Sequence, residues 1–288
     1  MTMITPTPLP ADLRLWRAAL RISRRGYGLA RRLWLKRLNS LGVVAVPTKF
    51  DFTVLVDPTD YHGWSLAMLG AHEPPITSLV CRELRPGDVF ADVGANHGWF
   101  SLLAAQRLRT NGGRVFAFEP QTKLCSLLRA SAELNRLDNL TVIQAAAGQG
   151  PSRGFVHVPR PEQTRYGSLF PSGNTVEAVD IVSLDDALSD ASPALVKIDV
   201  EGFEIRVLRG MRRLLRSPAL RSLIIEVHPA EIRRFGDELS ELVRILSEHG
   251  FRLYRIQMAR RGSGAVHLRE LESLSATEAC TNVYASRV

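Results

Sequence analysis

A short glycine-containing segment holds the first residues whose types and spacing could bind a ligand. VFADVGANHGWF (89–100) is apolar up to Asp92, and Gly94, Asn96 and Gly98 then form a tight turn before a new apolar run. A turn that binds a dinucleotide has the pattern GxGxxG, which brings backbone N–H groups up to a pyrophosphate. A carboxylate two residues before the first glycine would repel a pyrophosphate and attract an ammonium group. The segment therefore favours S-adenosylmethionine over a nicotinamide dinucleotide.

Three other residues are placed to contact the same ligand. Glu119 closes the predicted strand RVFAFEP, where a carboxylate can accept hydrogen bonds from both ribose hydroxyls of an adenosine. Gln144 ends the next predicted strand and could contact the adenine amino group, although an ordinary strand-end glutamine is the alternative. His97 lies inside the turn. We expect it to contact the methionine part of the ligand.

A second group of ionisable residues follows two later strands. KIDVEGFE places Asp199 and Glu201 after one strand, and IIEVHP places Glu226 and His228 at the end of the next. If the two strands are neighbours, these side chains converge and form either a general-base site or a Mg²⁺ site with Asp199, Glu201 and Glu226 as candidate ligands. Glu226 as an orienting residue and His228 as an ordinary strand-end histidine remain alternatives. Glu204 is expected to stabilise the start of a helix.

Alternating strands and helices position both groups. Lys197 points away from its neighbours in one of these strands and is interpreted as structural. The alternation predicts a mostly parallel sheet with helices on both faces, and ligands bind such sheets at the carboxyl ends of the strands. The predicted strands are 89–93, 114–118, 140–145, 194–198, 222–227 and 251–257, and the predicted helices are 98–109, 122–135, 204–215 and 237–249.

Several motifs in this order resemble the FkbM family of S-adenosylmethionine-dependent methyltransferases. The similarity covers about residues 55 to 257, and its matching segments are RPGDVFADVGANHGWFS, VFAFEP, AELNRLDNLTVIQAAAG, VSLDDAL, LVKIDVEGFEIRVLRG and LIIEVHP. The resemblance implies a Rossmann-like class I methyltransferase fold, with a seven-stranded sheet in which one strand is antiparallel. The tail ACTNVYASR could supply that last strand, because it contains good strand formers.

The resemblance also implies a reaction and roles for the residues. The reaction is methyl transfer to oxygen, typically a hydroxyl group on a sugar, glycan or polyketide-like natural product. Cofactor binding then falls to Asp92, Gly94, Asn96, His97, Gly98, Glu119 and Gln144. Asp199, Glu201 and His228 are left to serve the acceptor, with Mg²⁺ as a possible second cofactor.

The charge of the chain is concentrated at one end. The net charge is +8, yet residues 1–50 contain ten Lys or Arg and one acid, Asp12. We predict a basic, helical or partly disordered arm at 1–50 and a methyltransferase domain at 51–288. Residues 11–41 suit basic amphipathic helices that contact a membrane surface, or a helix packed on the main domain. Residues 1–10 resemble a leader added by expression vectors.

Other features restrict the class of protein. The chain has no apolar run long enough for a transmembrane helix and no signal-peptide pattern. Cys81, Cys125 and Cys280 are widely spaced and predict neither disulfides nor a zinc site. A cytoplasmic protein is expected. The loop 160–175 is a candidate acceptor lid through Arg165, Tyr166 and Ser168, or an idle surface loop.

Three alternatives to this function remain open at this point. An NAD-dependent oxidoreductase or epimerase is disfavoured by the missing GxGxxG pattern. A non-catalytic relative that docks on a membrane is disfavoured by the complete cofactor motifs. Methylation of RNA is disfavoured because the basicity lies outside the predicted catalytic domain, so a nucleic-acid partner is not expected.

Overall fold

A computed structural model describes most of the 288-residue chain. The described residues are 4–22, 37–38, 40–158, 175–258, 266–271, 273–274 and 280–287. The predicted acceptor lid with Arg165, Tyr166 and Ser168 lies outside these residues, and so does the stretch 23–36 of the basic arm.

Strands and helices alternate through the central part of the chain. The helices are α1 Ala11–Ile22, α2 Tyr61–Leu69, α3 Pro74–Glu83, α4 Trp99–Leu108, α5 Thr122–Leu134, α6 Leu184–Ala187, α7 Glu204–Arg209, α8 Arg212–Arg216, α9 Pro229–Arg234 and α10 Leu239–Glu248. The strands are β1 Thr7–Pro8, β2 Val44–Pro47, β3 Thr53–Val56, β4 Val89–Val93, β5 Arg114–Phe118, β6 Leu140–Ile143, β7 Ala146–Ala147, β8 Ser152–Val158, β9 Thr175–Val182, β10 Leu195–Ile198, β11 Ser222–Val227, β12 Arg252–Met258, β13 Val266–Leu271 and β14 Thr281–Ser286.

The main sheet has the strand order of the class I methyltransferase fold. Within the described residues its order is β13-β12-β14-β11-β10-β4-β5-β6. The strands β4, β5, β6, β10 and β11 are parallel, and β14 runs antiparallel between β11 and β12. The predicted fold is confirmed, including the antiparallel strand from the C-terminal tail.

The predicted count of seven strands was wrong by one. An eighth strand, β13, pairs antiparallel with β12 at the edge of the sheet. Its polar residues His267, Arg269 and Glu270 are exposed. Charged side chains are frequent on edge strands, because they oppose pairing with another chain, and they also weaken the hydrophobic signal of a strand in the sequence.

The helix predicted over 204–215 is divided into α7 and α8. A Cβ atom on Gly210, which ends α7, would lie 1.9 Å from the carbonyl oxygen of Gly148. The backbone of Gly210 therefore packs directly against the loop after β7, where a side chain has no space. The chain changes direction at this contact.

Helices cover both faces of the main sheet, and alternate residues of each strand face opposite sides. In β10, Leu195 packs in a buried cluster with residues of α2, α3 and α4. Its neighbour Val196 packs in a second cluster with residues of α7, α8 and α10. Lys197 follows on the same side as Leu195, and its ammonium nitrogen lies 4.9 Å from the centre of the Phe100 ring. The strand pattern thus brings a charged side chain into a mainly apolar layer.

The described part of the N-terminal segment packs on the main domain. β1 pairs with β2, and Leu9 and Leu13 belong to the same buried cluster as Trp64 and Phe90. The predicted domain boundary at residue 50 falls in the turn between β2 and β3, which form an antiparallel pair. That boundary stays a prediction, but Leu9 and Leu13 share a core with the rest of the chain.

We expect the Leu13→Ala variant to be about 2–5 kcal/mol less stable than the wild type, because a completely buried leucine would be replaced by a cavity. Leu15→Ala is the matched control, since the Leu15 side chain in the same helix is 74% exposed. Its cost should stay within about 0.5 kcal/mol. Urea unfolding measures both values. Equal stability of the two variants would show that α1 does not contribute to the core.

Candidate active site

A cavity opens at the carboxyl ends of the parallel strands, where the sequence predicted a ligand site. It has about 920 Å³ of empty space, counting the part open to solvent. Its lining combines apolar walls with a few polar groups, as ligand sites usually do. The lining residues are His62, Leu66, His72, Gly94, Ala95, Asn96, His97, Trp99, Phe100, Phe118, Glu119, Pro120, Gln121, Ala145, Ala146, Ala147, Val156, Lys197, Asp199, Val200 and Glu201.

The turn after β4 has the positive-φ backbone that its glycine and asparagine residues allow. Gly94, Asn96 and Gly98 all have positive φ angles, of 83°, 52° and 81°. Glycine adopts this region without strain, and asparagine tolerates it better than most residues. The amide nitrogens of Gly94 and Ala95 donate to the carbonyl oxygen of Phe118, at 2.9 and 3.0 Å. These bonds fix the turn against the end of β5.

Glu119 is held by the backbone at the end of β5. Its two carboxylate oxygens accept hydrogen bonds from the amide nitrogens of Asn96 and Gln121, both at 2.9 Å. Only 3% of the residue is exposed, and burial raises the pKa of its carboxyl group to about 7. Each carboxylate oxygen has a further lone pair, so the group retains the capacity to accept bonds from a ligand in the cavity.

Three predicted cofactor residues do not line the cavity. Asp92 is completely buried and accepts a hydrogen bond from Ser101 Oγ at 2.6 Å. Gln144 Nε2 donates to Thr122 Oγ1 at 2.9 Å. Gly98 precedes α4, where a Cβ atom would lie 2.0 Å from a Leu128 methyl group. The direct contacts predicted for these three stay predictions, and in this structure each has a partner within the protein.

His97 lies in the cavity wall between two polar groups. Its Nδ1 atom is 2.6 Å from Asn96 Oδ1, and its Nε2 atom is 3.3 Å from Asp60 Oδ2. The ring is almost completely buried. Its orientation is therefore set by the protein, beside the expected position of the methionine part of the ligand.

Lys197 and Asp199, at the end of β10, form an ion pair in the cavity wall. Lys197 Nζ lies 3.0 Å from Asp199 Oδ2. Burial alone would raise the pKa of Asp199, but the charges of Lys197 and His228 outweigh burial and hold that pKa below its usual range. Lys197, which the sequence analysis took to be structural, thus lines the cavity and keeps Asp199 ionised.

The ionisable residues after β10 and β11 converge, because these strands are parallel neighbours. His228 Nε2 lies 3.4 Å from Glu201 Oε2 and 3.8 Å from Glu226 Oε1. Glu204, which was expected only to stabilise a helix start, is completely buried and lies 2.9 Å from His228 Nδ1. The predicted residues therefore form one connected group around His228.

The pKa values of Glu201 and His228 are both raised, and neighbouring carboxylates contribute to both shifts. Burial raises the pKa of Glu201 to about 8, and its neighbours Asp199, Glu226 and Glu204 reinforce the effect. Burial by itself would lower the pKa of His228, but hydrogen bonds with Cys280 and Glu204 and the surrounding negative charge raise it. His228 therefore carries a positive charge in this arrangement.

Two histidines of the cavity wall were missed by the sequence analysis. His62 lies on α2 and His72 precedes α3, with ring centroids 5.6 Å apart. Burial lowers the pKa of His72 to about 3, so its ring is neutral. Together with Trp99 and Phe100 they form an aromatic wall. The available signal was the segment AHEPPI (71–76), which contains His72 and resembles the segment before the first helix in the FkbM family.

Comparison with known proteins gives matches to methyltransferases. The model of the methyltransferase FkbM domain matches residues 92–253. The 31-O-demethyl-FK506 methyltransferase FkbM of Streptomyces tacrolimicus is 32% identical over 201 residues, which cover 59% of this chain and 74% of that protein. The hexuronic acid methyltransferase AglP of Haloferax volcanii is 27% identical over 179 residues, covering 61% of this chain and 68% of that protein.

The chain is also similar to a solved structure. A methyltransferase FkbM from Methylobacillus flagellatus is 20% identical, with a TM-score of 0.46, and the match covers 92% of this chain and 61% of that chain.

None of the helices in the described part of the chain combines the length and the hydropathy needed to cross a lipid bilayer.

Proposed function

This chain belongs to the FkbM methyltransferase family, and we propose that it transfers the methyl group of S-adenosylmethionine to a hydroxyl group of a sugar, glycan or natural product. The observation that carries the proposal is one cavity lined both by Glu119, which follows β5, and by Asp199 and Glu201, which follow β10, with β4 between the two strands. The two relatives named above support an oxygen acceptor, since one acts on a demethylated FK506 and the other on a hexuronic acid.

The cavity has suitable groups for each part of the cofactor. The carboxylate of Glu119 would accept the ribose hydroxyls, and the small residues 145–147 leave space for the adenine ring. The turn 94–97 would hold the methionine part. Asp92 in β4 accepts a hydrogen bond from Ser101 on α4 and so links the two elements that flank this turn, and we therefore assign it a positioning role. S-adenosylmethionine supplies a methyl group on a positively charged sulfur, which the excess of carboxylates in the cavity favours.

The residues around the methyl acceptor must remove a proton from its hydroxyl group, because a neutral alcohol is a weak nucleophile. In the transfer, the acceptor oxygen forms a bond to the methyl carbon while the carbon–sulfur bond breaks, and the hydroxyl proton passes to a base. We assign the proton-accepting carboxylate to Asp199, oriented by Lys197, with Glu201 beside it. His228, which is positively charged, holds Glu201 in place.

A Mg²⁺ ion bound by Asp199, Glu201 and Glu226 is the alternative for this side. The ammonium group of Lys197 already contacts Asp199 Oδ2. It would repel a divalent cation at that oxygen. We therefore favour Asp199 as a base over Asp199 as a metal ligand.

The aromatic wall supports an acceptor with apolar faces. His62, His72, Trp99 and Phe100 present rings to the cavity next to the acceptor carboxylates. Rings of this kind can pack against the carbon skeleton of a sugar or polyketide, while Asp199 and Glu201 address its hydroxyl groups.

We also propose a peripheral position at a membrane, through residues 11–41. The exposed Leu15 on α1, next to Arg14, supports such a contact. The sequence of this segment is rich in arginine, and a basic segment with an exposed apolar residue suits an anionic interface. Sedimentation with anionic vesicles, with and without Leu15→Asp, would test this proposal.

We expect S-adenosylhomocysteine to bind the purified protein and NADH not to bind, as measured by calorimetry. The affinity for S-adenosylhomocysteine should fall as the pH drops through about 7, because the carboxylate form of Glu119 accepts the ribose hydroxyls and protonation removes that capacity. Glu119→Gln should bind roughly 10- to 150-fold more weakly, since hydrogen bonds to a charged group contribute about 1.5–3 kcal/mol. Its affinity should not change with pH in this window.

Glu133→Gln, which changes an exposed carboxylate on α5, is the matched control. It should bind like the wild type at each pH. Binding of NADH instead of S-adenosylhomocysteine would replace the proposed reaction with redox chemistry, and binding of neither ligand would favour a non-catalytic relative. Transfer of a labelled methyl group to a panel of sugars and glycans then identifies the acceptor.

A further inference from the structure

We propose that Glu226, His228 and Cys280 form a binding site for a divalent transition-metal ion, best matched by Zn²⁺, beside the acceptor carboxylates. One ligand atom from each of these side chains lies within 4.8 Å of the other two. Cys280 Sγ is 2.9 Å and His228 Nε2 is 3.8 Å from the same oxygen, Glu226 Oε1. Ligands around a tetrahedral zinc ion, with bonds of about 2.0–2.3 Å, are separated by roughly 3.3–3.8 Å. Small side-chain movements would complete the site.

The sheet itself brings the cysteine to the histidine. β11 and β14 pair antiparallel, with Glu226 opposite Asn282 and Val227 opposite Thr281. One further step in this register sets His228 opposite Cys280. Glu226 lies in β11, and His228 and Cys280 each lie one residue beyond the paired ends of β11 and β14, so the central sheet limits how far the three ligands can move.

A buried carboxylate orients the histidine as in many metal sites. Glu204 is completely buried and lies 2.9 Å from His228 Nδ1. The amide nitrogen of Gly202 donates to the same Glu204 oxygen at 3.0 Å, which fixes the carboxylate. Metal-binding histidines usually donate their second ring N–H to such a partner. Because His228 is positively charged without a metal, a metal ion would displace the proton from its other ring nitrogen, as it would displace the proton of the Cys280 thiol. Here that nitrogen is Nε2, the atom that faces Glu226 and Glu201.

The surrounding charge favours a cation. Glu201, Glu204 and Glu226 all have a carboxylate oxygen within 3.8 Å of a nitrogen of His228. Within the described residues, the buried Glu201 Oε1 atom has no hydrogen-bond partner. Glu201 also has a positive φ angle of 52°, a strained conformation for a residue with a side chain. Several buried carboxylates with one open oxygen are stabilised when a divalent cation binds among them.

The ligand types select the metal. A thiolate and an imidazole are preferred by Zn²⁺ and similar ions, whereas Mg²⁺ prefers six oxygen ligands. Three protein ligands also match catalytic zinc sites, which keep a fourth position for water or substrate. Cys280 is exposed, so an ion can reach the site from solvent.

The metal would have a chemical role that rests on the proposed methyl transfer. A divalent ion lowers the pKa of a hydroxyl group bound at its open position. The acceptor proton would pass to the carboxylate of Asp199, and the acceptor oxygen would then form the bond to the methyl carbon as the carbon–sulfur bond breaks. Binding of the metal itself does not depend on this role.

The test is a titration of the chelator-treated full chain with Zn²⁺ by calorimetry and with Co²⁺ by absorption spectroscopy. We expect saturable binding of about one ion per chain and a cobalt–thiolate charge-transfer band. Cys280→Ser should abolish the band and weaken Zn²⁺ binding at least about tenfold, and Glu204→Gln should weaken it roughly 10- to 100-fold. Cys81→Ser is the matched control, because Cys81 is another free cysteine and lies on α3. It should bind as the wild type does.

Any one of three results would overturn the proposal. The first is no saturable binding of Zn²⁺ to the wild type, the second is a cobalt spectrum without the thiolate band, and the third is equal affinity of Cys280→Ser and the wild type for Zn²⁺. His228→Asn serves as a second variant if Cys280→Ser does not fold. These readouts are independent of methyl transfer, so a failure to bind S-adenosylhomocysteine would count against the proposed function without changing the metal titration.

Discussion

The Asp199→Asn variant is expected to lose about 10²- to 10⁴-fold in the rate of methyl transfer, while its affinity for S-adenosylhomocysteine changes only a few-fold. The factor is that of a typical general base. Asparagine keeps the shape of the side chain and removes its ability to accept the acceptor proton. Asp199 lines the cavity away from Glu119, so binding of the adenosine part should be nearly unaffected. Single-turnover transfer and calorimetry measure the two quantities.

Lys197 provides the control that separates chemistry from structure. Because its ammonium group is almost completely buried and contacts Asp199, Asp199→Asn leaves a buried charge without its main partner, which can destabilise the protein. The double variant Lys197→Met with Asp199→Asn removes both charges. If Asp199 is the base, the double variant should recover stability and remain inactive. Recovery of activity in the double variant would assign the loss to the unpaired lysine.

We expect the free energy of unfolding of the Gly94→Ala variant to be about 2–6 kcal/mol lower than that of the wild type. The variant should also lose measurable cofactor binding. A Cβ atom at this position would lie 1.8 Å from the carbonyl oxygen of Asp199. The positive φ angle of 83° adds strain for any residue with a side chain. Overpacking and backbone strain each cost about 1–3 kcal/mol. Relief of the clash would also push apart β4 and β10 at the cavity.

Gly112→Ala is the matched control for this effect. Gly112 also has a positive φ angle, of 71°, but a Cβ atom there would meet nothing within 4 Å. This variant should lose only the conformational part, about 1–2 kcal/mol, and bind S-adenosylhomocysteine normally. Chemical denaturation of both variants gives the comparison. An equal loss of stability in the two would mean that close backbone approach at Gly94 is unimportant.

The order of strands and helices could be predicted because it is encoded locally. The apolar run before Asp92 and the positive-φ residues after it predict a strand and a turn from neighbouring residues alone, and the structure confirms them. The same holds for the placement of Glu119 at the end of β5. The edge strand β13 and the break at Gly210 were missed, because exposed charges and a backbone contact with Gly148 leave no local apolar pattern.

The convergence of Asp199, Glu201 and His228 was predicted on the condition that two strands are neighbours, and β10 and β11 are paired. For Asp92 and Gln144, the sequence predicted the position in the chain but not the direction of the side chain. Their positions in the chain were read correctly, but the structure turns their side chains to Ser101 and Thr122. Where a side chain points at the end of a strand depends on the helices packed around it, and this packing is not visible in the motif.

By itself the sequence determined the class of fold and the strand ends at which polar residues gather, because hydrophobic periodicity and turn residues act between near neighbours. The resemblance of several ordered motifs indicated the family. Only the tertiary structure decided which distant residues complete the site. Lys197 is directed into the cavity by the alternation of β10, His62 and His72 are brought there by α2 and α3, and Cys280 meets His228 through the register of β14. Such contacts join residues far apart in the chain, so they form only when the whole sheet and its covering helices pack together.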